Sequence, residues 1–189
     1  MKVITDYKDL WSGTPLWMVN QYNFSKLSAE IKNTFIDIAV IGAGSTGAII
    51  GEALSSAGYS VLFIDRRIPG SGSSMASTAM LQADVDLPLI RMIDRLGFDK
   101  ATRAWRRSWQ AMQKLAIKTN ALCHIYKRPS LYISGNLLSS KELQEENSIR
   151  QKILFPSEYL HQEKLYSQCG LNNTGAILTP ESYAVNPQA

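Results

Sequence analysis

Apolar positions along the chain change period several times, and those changes set out its elements. Residues 34–41 carry Ile36, Ile38, Val40 and Ile41 with Ala39 among them, a nearly continuous apolar run. Such a run predicts a parallel strand covered on both faces. Residues 61–64, Val-Leu-Phe-Ile, repeat the signal. Between the two, Ile49, Ile50, Ala53, Leu54 and Ala57 fall at helical spacing, with Gly58 placed to cap that helix. The order strand, helix, strand predicts a βαβ unit.

Downstream, helices are predicted over residues 87–96 and 99–122. In the second, Trp105, Trp109, Met112, Leu115, Ala116, Thr119 and Leu122 recur every third or fourth position. Arg103, Arg106, Arg107, Gln110, Lys114 and Lys118 mostly take the other face, so an inward aromatic stripe and a solvated basic face are expected. Residues 130–134 alternate as a strand does. Ser139 with Glu142 resembles a capping box opening a helix to about residue 154. A further helix is expected around residues 158–166 and a last strand at residues 175–179. Residues 1–33, with Trp11, Pro15, Leu16 and Trp17 among polar positions, read as an arm that packs across the βαβ unit.

The turn inside that unit carries the chemistry. It reads Gly42-Ala43-Gly44-Ser45-Thr46-Gly47, directly after the first strand and opening the helix at about Ser45. Gly42 permits the tight turn, Gly44 lets a pyrophosphate approach the backbone, and Gly47 lets the helix pack closely on the strands. The helix start offers unpaired N–H groups and a positive dipole end to phosphates. Asp65, at the end of the second strand, is placed to accept hydrogen bonds from an adenosine ribose. Strand, turn, helix, strand and acid in register predict dinucleotide binding, without choosing between FAD and NAD. Arg66 and Arg67 could form a 2′-phosphate clamp for NADP, but Asp65 would repel that phosphate, and a solvated loop pair is the favoured reading. Residues 70–81 begin small and hydroxyl-rich and turn increasingly helical; they suit either a phosphate-wrapping segment that starts a helix, or a plain Gly/Ser loop.

Composition narrows the classes. The 189 residues are 45% hydrophobic and 19% charged, an ordinary globular balance. A formal charge of +4 without a basic tract interleaved with aromatics argues against nucleic-acid binding. Cys123 and Cys169 lack C-x-x-C spacing, and His124 and His161 lack metal-ligand company, so no metal or redox pair is expected. Cys123 and His124, adjacent on a strand, would point to opposite faces. No run reaches membrane-spanning length and no apolar signal core precedes residue 22, so a cytoplasmic location is expected.

Four segments together resemble the FAD-dependent amino-acid and amine oxidoreductases of the D-amino-acid oxidase, glycine oxidase and sarcosine oxidase type. They are the fingerprint at residues 42–47 with Asp65, the loop at residues 70–81, the stretch Arg128-Pro129-Ser130-Leu131-Tyr132-Ile133, and residues 175–179 followed by Val185-Asn186-Pro187. The resemblance implies FAD as cofactor. It implies that Gly42, Gly44, Thr46 and Gly47, with Ala43 and Ser45 in the same turn, approach the pyrophosphate while Asp65 holds the ribose. It places Arg66 near the adenine end and Ser73 and Ser74 on the phosphates. Thr78, Ala79, Met80 and Leu81 would run beside the isoalloxazine ring, with Ala79 where sarcosine oxidases have a cationic residue.

The implied fold is α/β: an FAD/NAD(P)-binding Rossmann-like domain of the glutathione-reductase type, incomplete, with the start of an α+β substrate domain. Residues 1–33 would be the arm, 34–122 the FAD-binding βαβ unit and following helices, and 123–189 the beginning of the substrate domain. Family members continue beyond the point where this chain stops, so it reads as a truncated, N-terminal portion. The implied substrate is a small amine or amino acid, oxidised at its C–N bond by hydride transfer to flavin. No residue is assigned as catalytic acid or base. After Asp65 too few buried parallel strands follow to complete a doubly wound sheet, which leaves an unpaired edge. A second polypeptide or a homo-oligomer completing the sheet is therefore a candidate partner. An FAD-binding fragment that is not itself catalytic, or an NAD(P)-dependent dehydrogenase domain, are the alternatives.

Overall fold

The computed structural model describes Trp17 and residues 35–119 and 125–187. The chain forms two compact units, Met1–Ala79 with Asn186–Ala189 and Met80–Val185.

The first unit contains the expected βαβ motif: β1 (Ile38–Ile41), α1 (Ser45–Ser56) and β2 (Val61–Ile64). β1 and β2 pair in parallel, Ile38 opposite Val61 and Ile41 opposite Ile64. A polar clamp sets that register at the strand entries. The Asp37 N–H donates to Ser60 Oγ at 2.9 Å, and the Ser60 N–H and hydroxyl donate back to Asp37 Oδ2 at 2.8 and 2.7 Å. The Ser60 hydroxyl, and after it the Ser60 N–H, hold the Asp37 carboxyl below the usual carboxylate range.

α1 lies close on β2. A Cβ added to Gly51 would fall 2.1 Å from Cζ of Phe63, so the glycine lets the helix settle there without displacing the half-exposed Phe63 ring. Beyond Ala57, Gly58 takes a φ of +94° and ends the helix as expected. The expected two-sided cover of the first strand is not provided within the described residues. Ala39 and Ile41 are exposed, Ile41 to 87%, and Ile49 and Ile50 of α1 are half exposed. A two-stranded sheet carrying one helix cannot enclose both of its faces.

Of the two readings open for residues 70–81, the structure shows no helix start over residues 68–77. They form successive turns closed by three-residue hydrogen bonds, such as the Met75 N–H to the Gly72 carbonyl at 3.1 Å. Gly70 at φ +74° bends the chain at the outset, and Ala79 at φ +56° prevents helical continuation. Of the N-terminal arm only Trp17 is described; its indole N–H donates to the Ser77 carbonyl at 2.9 Å.

The second unit contains β3 (Met80–Leu81), α2 (Leu89–Leu96), α3 (Phe98–Thr119), β4 (Ile125–Lys127), β5 (Ser130–Ile133), α4 (Ser140–Lys152), β6 (Glu158–His161), α5 (Gln162–Cys169), β7 (Gly175–Thr179) and β8 (Tyr183–Val185). Two antiparallel three-stranded sheets result, ordered β3-β8-β4 and β5-β7-β6. The stretch expected to be helical from residue 158 is instead a strand until His161, because Leu160 pairs with Ala176 of β7 and is buried there. The readings on Cys123 and His124 fall outside the described residues; Cys169 is exposed.

The α3 stripe packs inward as expected, with Ala101, Thr102, Trp105, Met112 and Ala116 buried. Trp105 meets Phe155 edge-on at 5.3 Å between ring centroids. Over Trp105 lies the Arg150 guanidinium, 4.5 Å from the ring centroid. Arg150 is paired with Glu146 Oε1 at 2.8 Å and with Asp84. Glu146 is fully buried and also accepts from the Leu89 and Ile90 N–H groups at 2.9 and 2.8 Å. It thereby satisfies the opening donors of α2, which Pro88 cannot cap by side chain. At α4 the capping box forms: Ser139 Oγ accepts from the Glu142 N–H while the Ser139 N–H donates to Glu142 Oε2 at 2.8 Å.

Candidate functional site

A cavity of about 420 Å³ opens on the glycine turn of the first unit. Its shape follows from where side chains cannot be. Gly42 sits at φ +103°, a conformation that favours glycine, and turns the chain out of β1. A Cβ on Gly47 would fall 1.9 Å from the Gly42 carbonyl oxygen. Gly47 is therefore required by contact with the turn itself, more than by the strands. A Cβ on Gly44 would reach 3.3 Å from Ser74 Oγ, within the space the cavity keeps open.

Polar groups converge on the same place. The Ala43 N–H donates to Asp65 Oδ2 at 2.8 Å, and the Arg67 N–H donates to Oδ1 of the same carboxylate at 2.9 Å. The first of these bonds, then the second, holds the Asp65 carboxyl below the usual carboxylate range, so it is an anion at neutral pH. The Ser45 N–H, first of α1, donates to Ser74 Oγ at 2.9 Å. The N–H groups of Thr46 and Gly47, in the first turn of the helix, lack intrahelical acceptors by helix geometry. From the other side, the Gly70 N–H donates to the Ala43 carbonyl at 2.8 Å and ties the 68–77 segment to the glycine turn.

The site residues expected from sequence thus fall into four groups. Gly42, Gly44, Ser45, Thr46, Gly47, Asp65, Ser73 and Ser74 all line the cavity. Ala43 is buried beneath the turn and contributes its N–H to Asp65. Arg66 is exposed and is absent from the lining. Thr78 is exposed and Ala79 buried at the end of the first unit, while Met80 and Leu81 form β3 of the second and pair with Ala184 and Tyr183.

Sequence reasoning passed over Gly70, Gly72 and Arg67 as lining groups. The two glycines carried a signal, since two glycines around a serine after a strand end mark a loop that approaches another backbone. Arg67 carried none, because which of two adjacent arginines turns inward depends on the loop that follows. Among the described residues no group of three or more His, Cys, Asp and Glu side chains could hold a metal ion, and no helix is long and apolar enough to cross a membrane.

An open turn with free amides, a glycine where a Cβ would intrude, and a carboxylate at the neighbouring strand tip suit a dinucleotide diphosphate and its ribose. Comparison with known proteins agrees. Residues 37–189 match the model of a family described as FAD dependent oxidoreductase. Among solved structures, a glycine oxidase from Bacillus cereus is similar at a TM-score of 0.56 and 20% identity, over 82% of this chain and 41% of that one. An L-proline dehydrogenase from P. horikoshii is similar at 0.58 and 18%, over 79% and 38%. An L-amino acid deaminase from Proteus vulgaris is similar at 0.58 and 14%, over 82% and 35%. At these identities the likeness is one of fold. The chain spans about two fifths of the length of the first of these structures. No curated protein sequence matches it.

Proposed function

The chain belongs to the FAD-dependent oxidoreductase family, and from that premise we propose that it supplies the FAD-binding portion, and the beginning of the substrate region, of an enzyme oxidising the C–N bond of an amino acid or amine. Bound FAD would supply the electron acceptor for oxidation at the carbon next to nitrogen. The residues of this chain bind and orient. Thr46 and Gly47 offer N–H groups to the diphosphate at the start of α1, where the helix dipole favours an anion. Gly44 keeps the approach open. Asp65, held ionised by the Ala43 and Arg67 amides, accepts the ribose hydroxyls. Ser73 and Ser74 present hydroxyls to the phosphates from the tethered loop. No catalytic acid or base is assigned to these 189 residues, and the chain by itself is proposed to bind cofactor without turnover.

The observation that carries this reading is the convergence of the glycine turn, the start of α1 and Asp65 on one cavity. The test is reconstitution of the full-length protein with FAD, followed by a panel of amines and amino acids. Flavin absorbance that survives gel filtration is expected, with Asp65→Asn weakening FAD binding about tenfold, the scale of one lost charge-assisted bond. A colourless wild-type protein would end the proposal.

A second reading has its own support. Ile41 is 87% and Phe35 86% exposed beside a sheet of only two strands among the described residues. An apolar parallel edge of this kind is suited to further strands, which a second polypeptide could supply. Purification of the natural complex from its source would decide; a single polypeptide carrying all the flavin would count against a partner chain.

A further inference from the structure

The cavity on the glycine turn contains a group that the glycine fingerprint does not require, a guanidinium. Arg66 and Arg67 look alike in sequence, yet the fold separates them: Arg67 lines the cavity and Arg66 does not. A Cβ on Gly72 would lie 3.2 Å from Arg67 Nη2, so the end of the arginine rests over the loop that brings Ser73 and Ser74 to the cavity. Its backbone is fixed as well, through the Arg67 N–H bond to Asp65 Oδ1.

Charge gives this position its meaning. A dinucleotide brings a doubly ionised diphosphate into a cavity that already holds the Asp65 carboxylate. The helix start offsets only about half a charge. Among the described lining residues Arg67 is the one cation. A planar guanidinium also matches two phosphate oxygens at once, which a point charge does not.

We infer that Arg67 is the diphosphate clamp of this site, taking phosphate oxygens of the bound dinucleotide and offsetting the Asp65 carboxylate. The inference rests on the reading that the cavity holds FAD. It makes Arg67 a binding residue, with no part in proton or hydride movement.

The test measures FAD dissociation by flavin fluorescence in the full-length protein across a salt series, for wild type, Arg67→Ala, Arg67→Gln and Arg67→Lys. Each variant keeps the backbone N–H that Asp65 accepts, and a thermal melt shows whether each one folds. Arg67→Ala and Arg67→Gln should weaken FAD binding about ten- to a hundredfold at low salt, the range for a charge-assisted contact. They should also flatten the salt dependence, because the screened interaction is gone. Arg67→Lys should keep the salt dependence and lose a smaller part of the affinity. Wild-type affinity and slope in Arg67→Gln would overturn the inference while leaving the cofactor reading intact. Weaker binding with an unchanged salt slope would also overturn it, since that marks a packing role. Failure of the wild type to bind FAD at any salt would overturn both.

Discussion

Each of the two units is stabilised internally by a different part of the polypeptide. Around the glycine turn the structure is made largely of backbone: amides serve Asp65 and Ser74, a carbonyl ties down Gly70, and glycines decide the approach distances. The second unit is made of side chains locked against one another, with Glu146, Arg150, Trp105 and Phe155 enclosed between helices. Both expose some large apolar side chains, Ile41 and Phe35 in the first and Ile117 and Leu154 in the second, but the second also buries Leu143, Leu160, Leu165 and Ile177 completely. An open cavity keeps donors and space available, whereas a closed core can spend its polar groups on itself.

The sharpest way to break this contrast is Glu146→Ala. It leaves the buried Arg150 cation with Asp84 as its remaining carboxylate and removes the acceptor of the first α2 amides, so unfolding free energy should fall by roughly 2–4 kcal/mol. Urea denaturation would measure the loss, and hydrogen exchange should place it on α2 and α4. Equal loosening of α1 would show that the two regions do not differ as described.

Gly47→Ala tests the other region by its backbone. Its Cβ would meet the Gly42 carbonyl at 1.9 Å, and the turn must open to admit it. A cost of about 1–3 kcal/mol follows for such overpacking. FAD affinity should fall with it, and titration against Gly47→Ala would register both. Unchanged binding would mean that the turn does not form the site.

The smallest effect is expected at the α4 cap. Ser139→Ala removes the side-chain half of the capping box and should cost about 1 kcal/mol in a thermal or urea melt. Its pH behaviour sharpens the comparison. The Ser139 N–H, then the Ser139 hydroxyl, lower the Glu142 carboxyl, as Ser60 lowers Asp37 and the Ala43 amide lowers Asp65. A carboxyl lowered by folding adds stability that is fully present above its unfolded value, about pH 4, and lost as pH falls through the folded one. Both regions should therefore hold their stability through neutral pH and lose part of it only below about pH 4. In Ser139→Ala the acid loss on α4 should shrink while that at β1 and β2 persists.

Elements with strong local signals could be read directly. The βαβ order, the α3 stripe, the Ser139 capping box and β5 and β7 each carry their periodicity or cap within a few residues. The short strands β3, β4 and β8 did not stand out, because two or three residues cannot display an alternation and their partners lie far along the chain, as Met80 does from Ala184. β6 was mistaken for helix for a related reason: its pairing with β7 outweighs its local preference. At the site, the glycines and Asp65 were legible through their spacing. Arg67 was not, since its direction is set by the 68–77 turns.

Local chemistry by itself determined that a glycine turn would join a strand to a helix and that an acid would end the next strand, since backbone freedom and periodicity act over a few residues. The fold decided the rest: that Gly47 is needed against Gly42, that Gly51 makes room for the Phe63 ring, and that Glu146 opens α2 from another helix. The last two are contacts between segments distant in the chain, and the first exists only once the turn has folded back on itself; steric exclusion and buried charge act only when such groups have been brought within a few ångströms of each other.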